Sequence, residues 1–414
     1  MSPLYYAPGV YVEEVSSGTN PIQAVGTCTT GFVGRTPLAD AHVNEAVAID
    51  NWTQFVKEYY KEGAASTPLS HAVFGFFRNG GRRCYVVNIG TTQSLTGSGG
   101  RRAGLDVLIP VDEVKLLAIP GMTGAAAYDA ALTHCETKGT CFAILDAPEV
   151  VSNLDNLTKV ATATATTPSR RAGGAPTEVG QPAAPPAPSE GEGGLKPRNS
   201  KYGAFYYPWV TVRDPFAPDQ LVNVPPSGHL AGIYARVDAN RGVHKAPANE
   251  LIRGALNIAA PVSRADQEML NPQGVNCIRL FLRDGVMVWG ARTLADQATE
   301  WKYVNVRRLF NMIEESIGLS TQHVTFEPNT PTLWRNIERD VKNFLTMLWR
   351  DGALMGKTAE EAYFVECNAE TNPPPNIDLG IVTTRIGIAP VKPAEFVVFR
   401  IGQSASGTKV EMEK

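Results

Sequence analysis

Thr29-Thr30-Gly31-Phe32-Val33-Gly34 is an uncharged run of β-branched and aromatic residues that ends on a glycine. It reads as a buried strand stopping at a turn. The residues after it keep changing period. Within Asn51–Lys61, Trp52, Phe55, Val56 and Tyr59 fall at helical spacing. Cys84–Ile89, Val114–Ile119 and Cys141–Leu145 return to strand character. Strands alternating with helices over residues 21–155 predict a layered α/β domain.

The pattern sharpens again after residue 268. Ile278, Leu280 and Leu282 alternate, Asp284-Gly285 supplies a tight turn, and Val286 and Val288 return as a hairpin partner. Val304, Leu309, Phe310, Ile313 and Ile317 mark a helix, with Gly318 expected just past its end. A second helix opens with Thr330 as cap and Pro331 in the first position. Its apolar face is Leu333, Trp334, Ile337, Val341, Phe344, Leu345 and Leu348, and Gly352 ends it. Strands are expected at Ile381–Ile388 and Phe396–Ile401, followed by a polar tail at 403–414.

Two stretches stand apart. Residues 1–20 read as an extended arm: Val10, Tyr11, Val12, Glu13, Glu14 and Val15 form a short β-rich run, and Ser16, Ser17, Gly18 and Thr19 a polar tether. A lone terminal strand must pair within its own fold or with another chain's sheet edge. Residues 161–200 run through Ala-Thr repeats into Pro- and Gly-rich sequence that cannot bury a core, and are expected to be a disordered surface loop.

With 414 residues the chain has room for two or three domains. The 38 basic residues against 41 acidic ones give a net charge of −3, which argues against a nucleic-acid partner. Only 19% of residues are charged, a hint that partners cover part of the surface. No apolar run approaches the roughly 18 residues of a membrane span. Met1–Tyr6 lacks the basic and apolar regions of a signal peptide, so folding in the cytoplasm is expected. The six scattered cysteines read as free, mostly buried thiols.

The case for catalysis is poor. Gly352–Thr358 resembles a nucleotide-binding loop, but has three residues between its glycines where a phosphate cradle needs four, and it follows a helix instead of a strand. It reads as a helix end and turn, leaving a nucleotide-driven enzyme as a distant alternative. Gly97-Ser98-Gly99-Gly100 beside Arg101-Arg102 reads as a flexible surface loop. Asp284, Asp296 and Asp340 have turn and surface roles. Arg335, Arg339, Lys342 and Arg350 share one stripe of the helix after Pro331, within about a quarter of its circumference. By itself this is a solvated face, with Glu338 and Lys342 an ordinary i,i+4 pair.

The motifs converge on a family. Tyr6–Glu14, Pro21–Thr27, Gly31–Gly34, Tyr206–Trp209, Pro225–Gly228, Ala231–Arg236, Lys245–Asn249, Leu270–Asn276, Trp289–Leu294, Val304–Leu309, Phe326–Asn329 and Pro393–Phe396 occur in that order. In this the chain resembles the sheath proteins of contractile phage tails and related injection systems. Only 155–200 departs, where such sheaths carry a short helical segment. The compact length looks more like injection-system and short-tail sheaths than the large phage ones.

The resemblance implies a structural, non-enzymatic subunit without cofactors. Such subunits stack as hexameric rings around an inner tube, with baseplate and tail-terminator or cap proteins as further partners. A baseplate signal triggers contraction, which drives the tube through a membrane. The energy is stored in subunit packing. Neither nucleic acid binding nor direct membrane insertion is implied. Strand exchange between neighbours then falls to Val10–Val15, Ile381, Val382, Phe396, Val397 and Val398, with Ser16–Thr19 as tether. Arg335, Arg339, Lys342 and Arg350 become candidates for facing the tube. The expected architecture is a two-part mixed α/β subunit: an inner, tube-side domain built from residues 268–402 together with the extended arm 1–20, and an outer domain over 21–267. A non-contractile shell or tube protein of the same assembly is the alternative.

Overall fold

The computed structural model describes residues 21–91, 94–162 and 193–396. The expected arm strand Val10–Val15, its tether Ser16–Thr19, most of the 161–200 run, Val397, Val398 and the 403–414 tail lie outside them. The chain forms two compact units. Among the described residues, one comprises residues 26–311 and 391–396, the other residues 21–25 and 312–390. We call them the larger and the smaller unit.

In the larger unit the elements in chain order are β1 (Thr30–Gly34), β2 (Val47–Ile49), α1 (Trp52–Tyr59), α2 (Pro68–Asn79), β3 (Cys84–Asn88), β4 (Thr96–Ser98), β5 (Arg101–Gly104), β6 (Leu116–Ala118), α3 (Ala125–Lys138), β7 (Phe142–Asp146), β8 (Gly203–Tyr207), β9 (Val210–Arg213), β10 (Leu221–Val224), α4 (Ser227–Arg241), β11 (Glu250–Leu251), β12 (Asn257–Ile258), α5 (Arg264–Leu270), β13 (Val275–Phe281) and β14 (Gly285–Val288). Nine strands make one sheet in the order β11-β14-β13-β8-β7-β6-β1-β3-β2. The six central strands run parallel. The outer ones pair antiparallel.

Such a sheet must be covered on both faces, and the residues show how. Phe32, Val86, Phe142, Ile144, Ala204 and Tyr206 point into one core with α2 and α4. Their neighbours Val33, Val87, Ala143, Leu145, Phe205 and Tyr207 point into the other, with Tyr128, Leu132 and Cys135 of α3. Helix starts follow local chemistry. Asn51 caps α1, and Thr67 caps α2 through a capping box with Ser70, Pro68 taking the first position.

In the smaller unit lie α7 (Pro331–Arg350), α8 (Ala359–Ala362), β15 (Tyr363–Glu366), α9 (Pro374–Asp378) and β16 (Arg385–Ile388). Helix α6 (Val304–Ser320) contains the division between the units, at Asn311/Met312.

Several expectations need correction. The units do not divide at 267/268: β13 pairs with β8 and carries β14 into the large sheet, so residues up to 311 belong there. Helix α6 runs through Gly318 to Ser320. Ile381 and Val382 lie outside β16, which starts at Arg385. Asn329 holds the Ile381 carbonyl instead, its Nδ2 donating at 3.1 Å. The segment Gly97–Arg102 is a β4–β5 hairpin, Gly99 and Gly100 both adopting the positive φ its turn requires. The expected loop does not extend to residue 200. Lys196 and Ser200 are buried, Val160 bridges Lys196, and Arg198 binds Asp129 and Glu136.

The α2–α4 contact is close because α4 presents glycines. A Cβ on Gly228 would lie 2.2 Å from the Ala72 Cα, and one on Gly232 2.4 Å from the Phe76 carbonyl oxygen. Both clashes are with backbone, which cannot rotate away. We therefore expect Gly228→Ala to destabilise the protein by about 1–3 kcal/mol, the range for overpacked cores. Urea denaturation checks this; an unchanged midpoint would contradict it.

Candidate assembly site

Three connections join the two units, at 25/26, 311/312 and 390/391. On the larger unit, side chains from the first two turns of α6 hold the chain beside the other two connections. Asn305 and Arg308 are three residues apart and so share a helix face. Asn305 Nδ2 donates to the carbonyls of His244 at 2.7 Å and Val391 at 3.0 Å. Arg308 donates to both carboxylate oxygens of Asp238 on α4, at 3.0 and 2.6 Å, and to the Thr27 carbonyl at 2.9 Å. Thr27 Oγ1 donates to the same carboxylate at 2.5 Å.

This ion pair is buried: the Arg308 and Asp238 side chains are 4% and 6% exposed. The guanidinium also lies 4.8 Å from the Tyr234 ring centre, and Tyr234 and Tyr206 share a hydroxyl–hydroxyl bond of 2.6 Å. Burial opposes the charge on Arg308, but Asp238 more than offsets it and the guanidinium pKa rises.

A second cluster holds the segment after Val391. Arg292 grips Glu395 in a two-point fork, Nε to Oε1 at 2.8 Å and an Nη to Oε2 at 2.7 Å. Asn271 Nδ2 donates to Oε1 at 2.7 Å and the Tyr303 hydroxyl to Oε2 at 3.1 Å. Arg292 is itself held in place. Asn276 of β13 accepts from its backbone N–H at 2.7 Å and donates to its carbonyl at 2.8 Å. Burial alone would raise the Glu395 carboxyl; hydrogen bonds from Arg292 and Asn271 and the Arg292 charge hold it below its ordinary value.

The smaller unit carries the other candidates. Helix α7 forms where expected, with Thr330 as cap, Pro331 first, and Trp334, Ile337, Val341, Phe344, Leu345 and Leu348 buried. Arg335, Arg339, Lys342 and Arg350 are all exposed on the opposite side. Lys342 meets Glu338 at 2.5 Å and Arg339 meets Asp340 at 3.1 Å. Gly352 ends the helix with φ of 78°, and Gly352–Thr358 leads into one helical turn, α8, with no strand before it. That segment is no phosphate cradle. Strands β15 and β16 pair antiparallel as a two-stranded sheet, and no third strand joins them among the described residues.

Comparisons with known proteins fit this geometry. Residues 197–294 match the phage tail sheath protein central domain and 296–404 the phage tail sheath C-terminal domain. The sheath chain of the anti-feeding prophage (AFP), seen in its contracted helical sheath, is 30% identical. It aligns over 97% of this chain and 100% of its own, with a TM-score of 0.72; a chain of its baseplate matches equally well. The chain belongs to the phage tail sheath family. The sheath of the extracellular contractile injection system PVC, also contracted, is 29% identical over 98% and 99% of the two chains, with a TM-score of 0.73. Against the tail sheath protein of Burkholderia phage BcepMu, identity is 31% over 36% of this chain and 33% of the relative. The chain thus spans about a third or less of the first curated phage sheaths it matches. The family is one of structural subunits of contractile sheaths, not of enzymes.

Sheath-type motifs quoted from the sequence supply the anchor residues: Asn271, Asn276, Arg292, Asn305, Arg308 and Glu395. Their roles were missed. One signal was present: Arg308 lies four residues after Val304, an apolar residue that is buried, so it shares that helix face and needs a partner there. Phe396, expected to begin a strand, is exposed and outside any strand.

Removing Asp238 strands a buried guanidinium. Asp238→Ala should therefore lower stability by about 3–5 kcal/mol, the cost of breaking a buried pair. A loss below about 1 kcal/mol in urea denaturation, the range of a surface pair, would contradict the burial argument.

Proposed function

We propose that the chain polymerises as stacked hexameric rings around an inner tube, in a phage tail or an extracellular injection particle, and shortens to drive the tube through a target membrane. The observation that carries this reading is the whole-length likeness to the AFP and PVC sheath chains, both seen contracted. The baseplate match supports a baseplate contact at the end of the stack. Cap or terminator proteins would close the other end, and assembly would take place in the bacterial cytoplasm. No helix among the described residues is long and apolar enough to cross a membrane.

The β15–β16 sheet supports strand exchange. Two strands alone are marginal in water, and an unpaired edge accepts an added strand through main-chain hydrogen bonds. Val10–Val15, with Phe396, Val397 and Val398, would supply the exchanged strands. Ser16–Thr19 would be the leash of the first. Main-chain ladders of this kind survive rigid-body rotation of the units they connect.

The α7 stripe would face an acidic tube surface. Exposed pairs contribute only about 0–1 kcal/mol each, which suits a contact that must later release. Repetition over many subunits makes the sum adequate.

Two experiments follow. Producing the chain with its neighbouring tube and baseplate proteins should yield particles whose sheath occurs in a long and a short form by electron microscopy. Particles of one fixed length under every treatment would mean a non-contractile shell. Arg335→Glu with Arg339→Glu should leave the subunit folded and reduce the fraction of tubes carrying sheath. Normal coverage from that double variant would remove α7 from the tube contact.

A further inference from the structure

We infer that Glu395 is a positioning residue for assembly: its seat on Arg292, Asn271 and Tyr303 fixes the point from which the C-terminal segment departs toward a neighbouring copy. The inference rests on the sheath reading above and goes beyond it by naming what sets the length of free chain.

Residues 391–396 contain no helix or strand, so no backbone ladder orders them. Their exposure alternates instead. Val391, Pro393 and Glu395 are half-buried, while Lys392, Ala394 and Phe396 are exposed. This is an extended segment lying with one face on the larger unit. Its inward face is held at two places, the Val391 carbonyl on Asn305 and the Glu395 carboxylate on its four donors. Glu395 is the last inward-facing residue before Phe396, which is 73% exposed.

If the Glu395 seat opens, the last fixed point retreats to Val391. The stretch between the last anchored residue and a docked strand then gains four residues, up to about 14 Å of reach. A longer leash lowers the effective concentration of its strand at the neighbour's sheet. It also leaves slack that movement of one subunit must take up before it pulls the next. The carboxylate fork therefore does what a neutral or apolar contact would do poorly. It fixes direction as well as distance, because the planar guanidinium accepts a carboxylate in one orientation.

The test uses Glu395→Gln in the full chain, with Glu268→Gln, which removes an exposed pair with Arg264, as control. Chymotrypsin must draw the residues just before Phe396, Glu395 among them, into its cleft, so cleavage after Phe396 reads how often Glu395 leaves its seat. Cleavage there, followed by mass spectrometry, should be about tenfold or more faster in Glu395→Gln, as for a site of raised local opening. Glu395→Asp, which keeps the charge but is too short, should fall between. The control should cleave as wild type. Co-produced with tube and baseplate, Glu395→Gln should give sheaths that are shorter, or that contract as a smaller fraction in the same urea concentration. Cleavage at the wild-type rate would overturn the seat. Faster cleavage with sheaths of normal length and contraction would overturn its role in assembly. If wild-type protein forms no sheath at all, the sheath reading falls, and the cleavage rates still decide whether the seat exists.

Discussion

A buried guanidinium cannot be left without a partner, and this constraint organises the larger unit around α6. Arg308 enters the protein from the apolar side of the helix, where taking a charge out of water costs several kcal/mol. The structure answers with the Asp238 carboxylate, the Thr27 carbonyl and the Tyr234 ring. Satisfying one charge therefore fixes α4, the segment leading to β1, and α6 in mutual register. Asn305, one turn earlier, does the same for the segment that begins at Val391. The segments leading to both ends of the chain are thus rooted on a single short length of helix.

The glycines of α4 and the acid of β7 serve the same end by other means. Gly228 and Gly232 let α4 lie against the backbone of α2. Asp146, at the end of β7, accepts from the Ser227 N–H at 2.8 Å and its hydroxyl at 2.6 Å, pinning the start of α4 to the sheet. Position at the Asp238 end of α4 is then inherited from a helix fixed along its length. These interactions are all internal to the larger unit.

Much of the fold was legible because it is local. The central strands β1, β3 and β7 are short apolar runs bounded by turns, and α7 announces itself through Thr330, Pro331 and a seven-residue apolar face. The hairpin at Asp284-Gly285 was readable for the same reason. What failed depended on distant pairing. The boundary between units falls inside α6, where no change of period marks it; only the pairing of β13 with β8, some 70 residues earlier in the chain, shows to which side the hairpin belongs. Ile381 and Val382 have strand-like side chains, yet the Ile381 carbonyl is taken by Asn329 and the ladder begins at Arg385.

The assembly site was legible as vocabulary but not as a constellation. Asn271, Arg292, Asn305, Arg308 and Glu395 all sit in motifs that pointed to the family. Nothing in the sequence says that Arg292 and Glu395, 103 residues apart, meet. The direct measurement is a pair of electron cryo-microscopy reconstructions of the assembled particle, long and short. The account predicts that residues 26–30, 304–311 and 391–396 superimpose within about 1 Å, the usual limit for a pre-organised body, with the Arg308–Asp238 and Arg292–Glu395 pairs closed in both states. Either pair open in one state would contradict it, because the larger unit would then not keep these segments fixed.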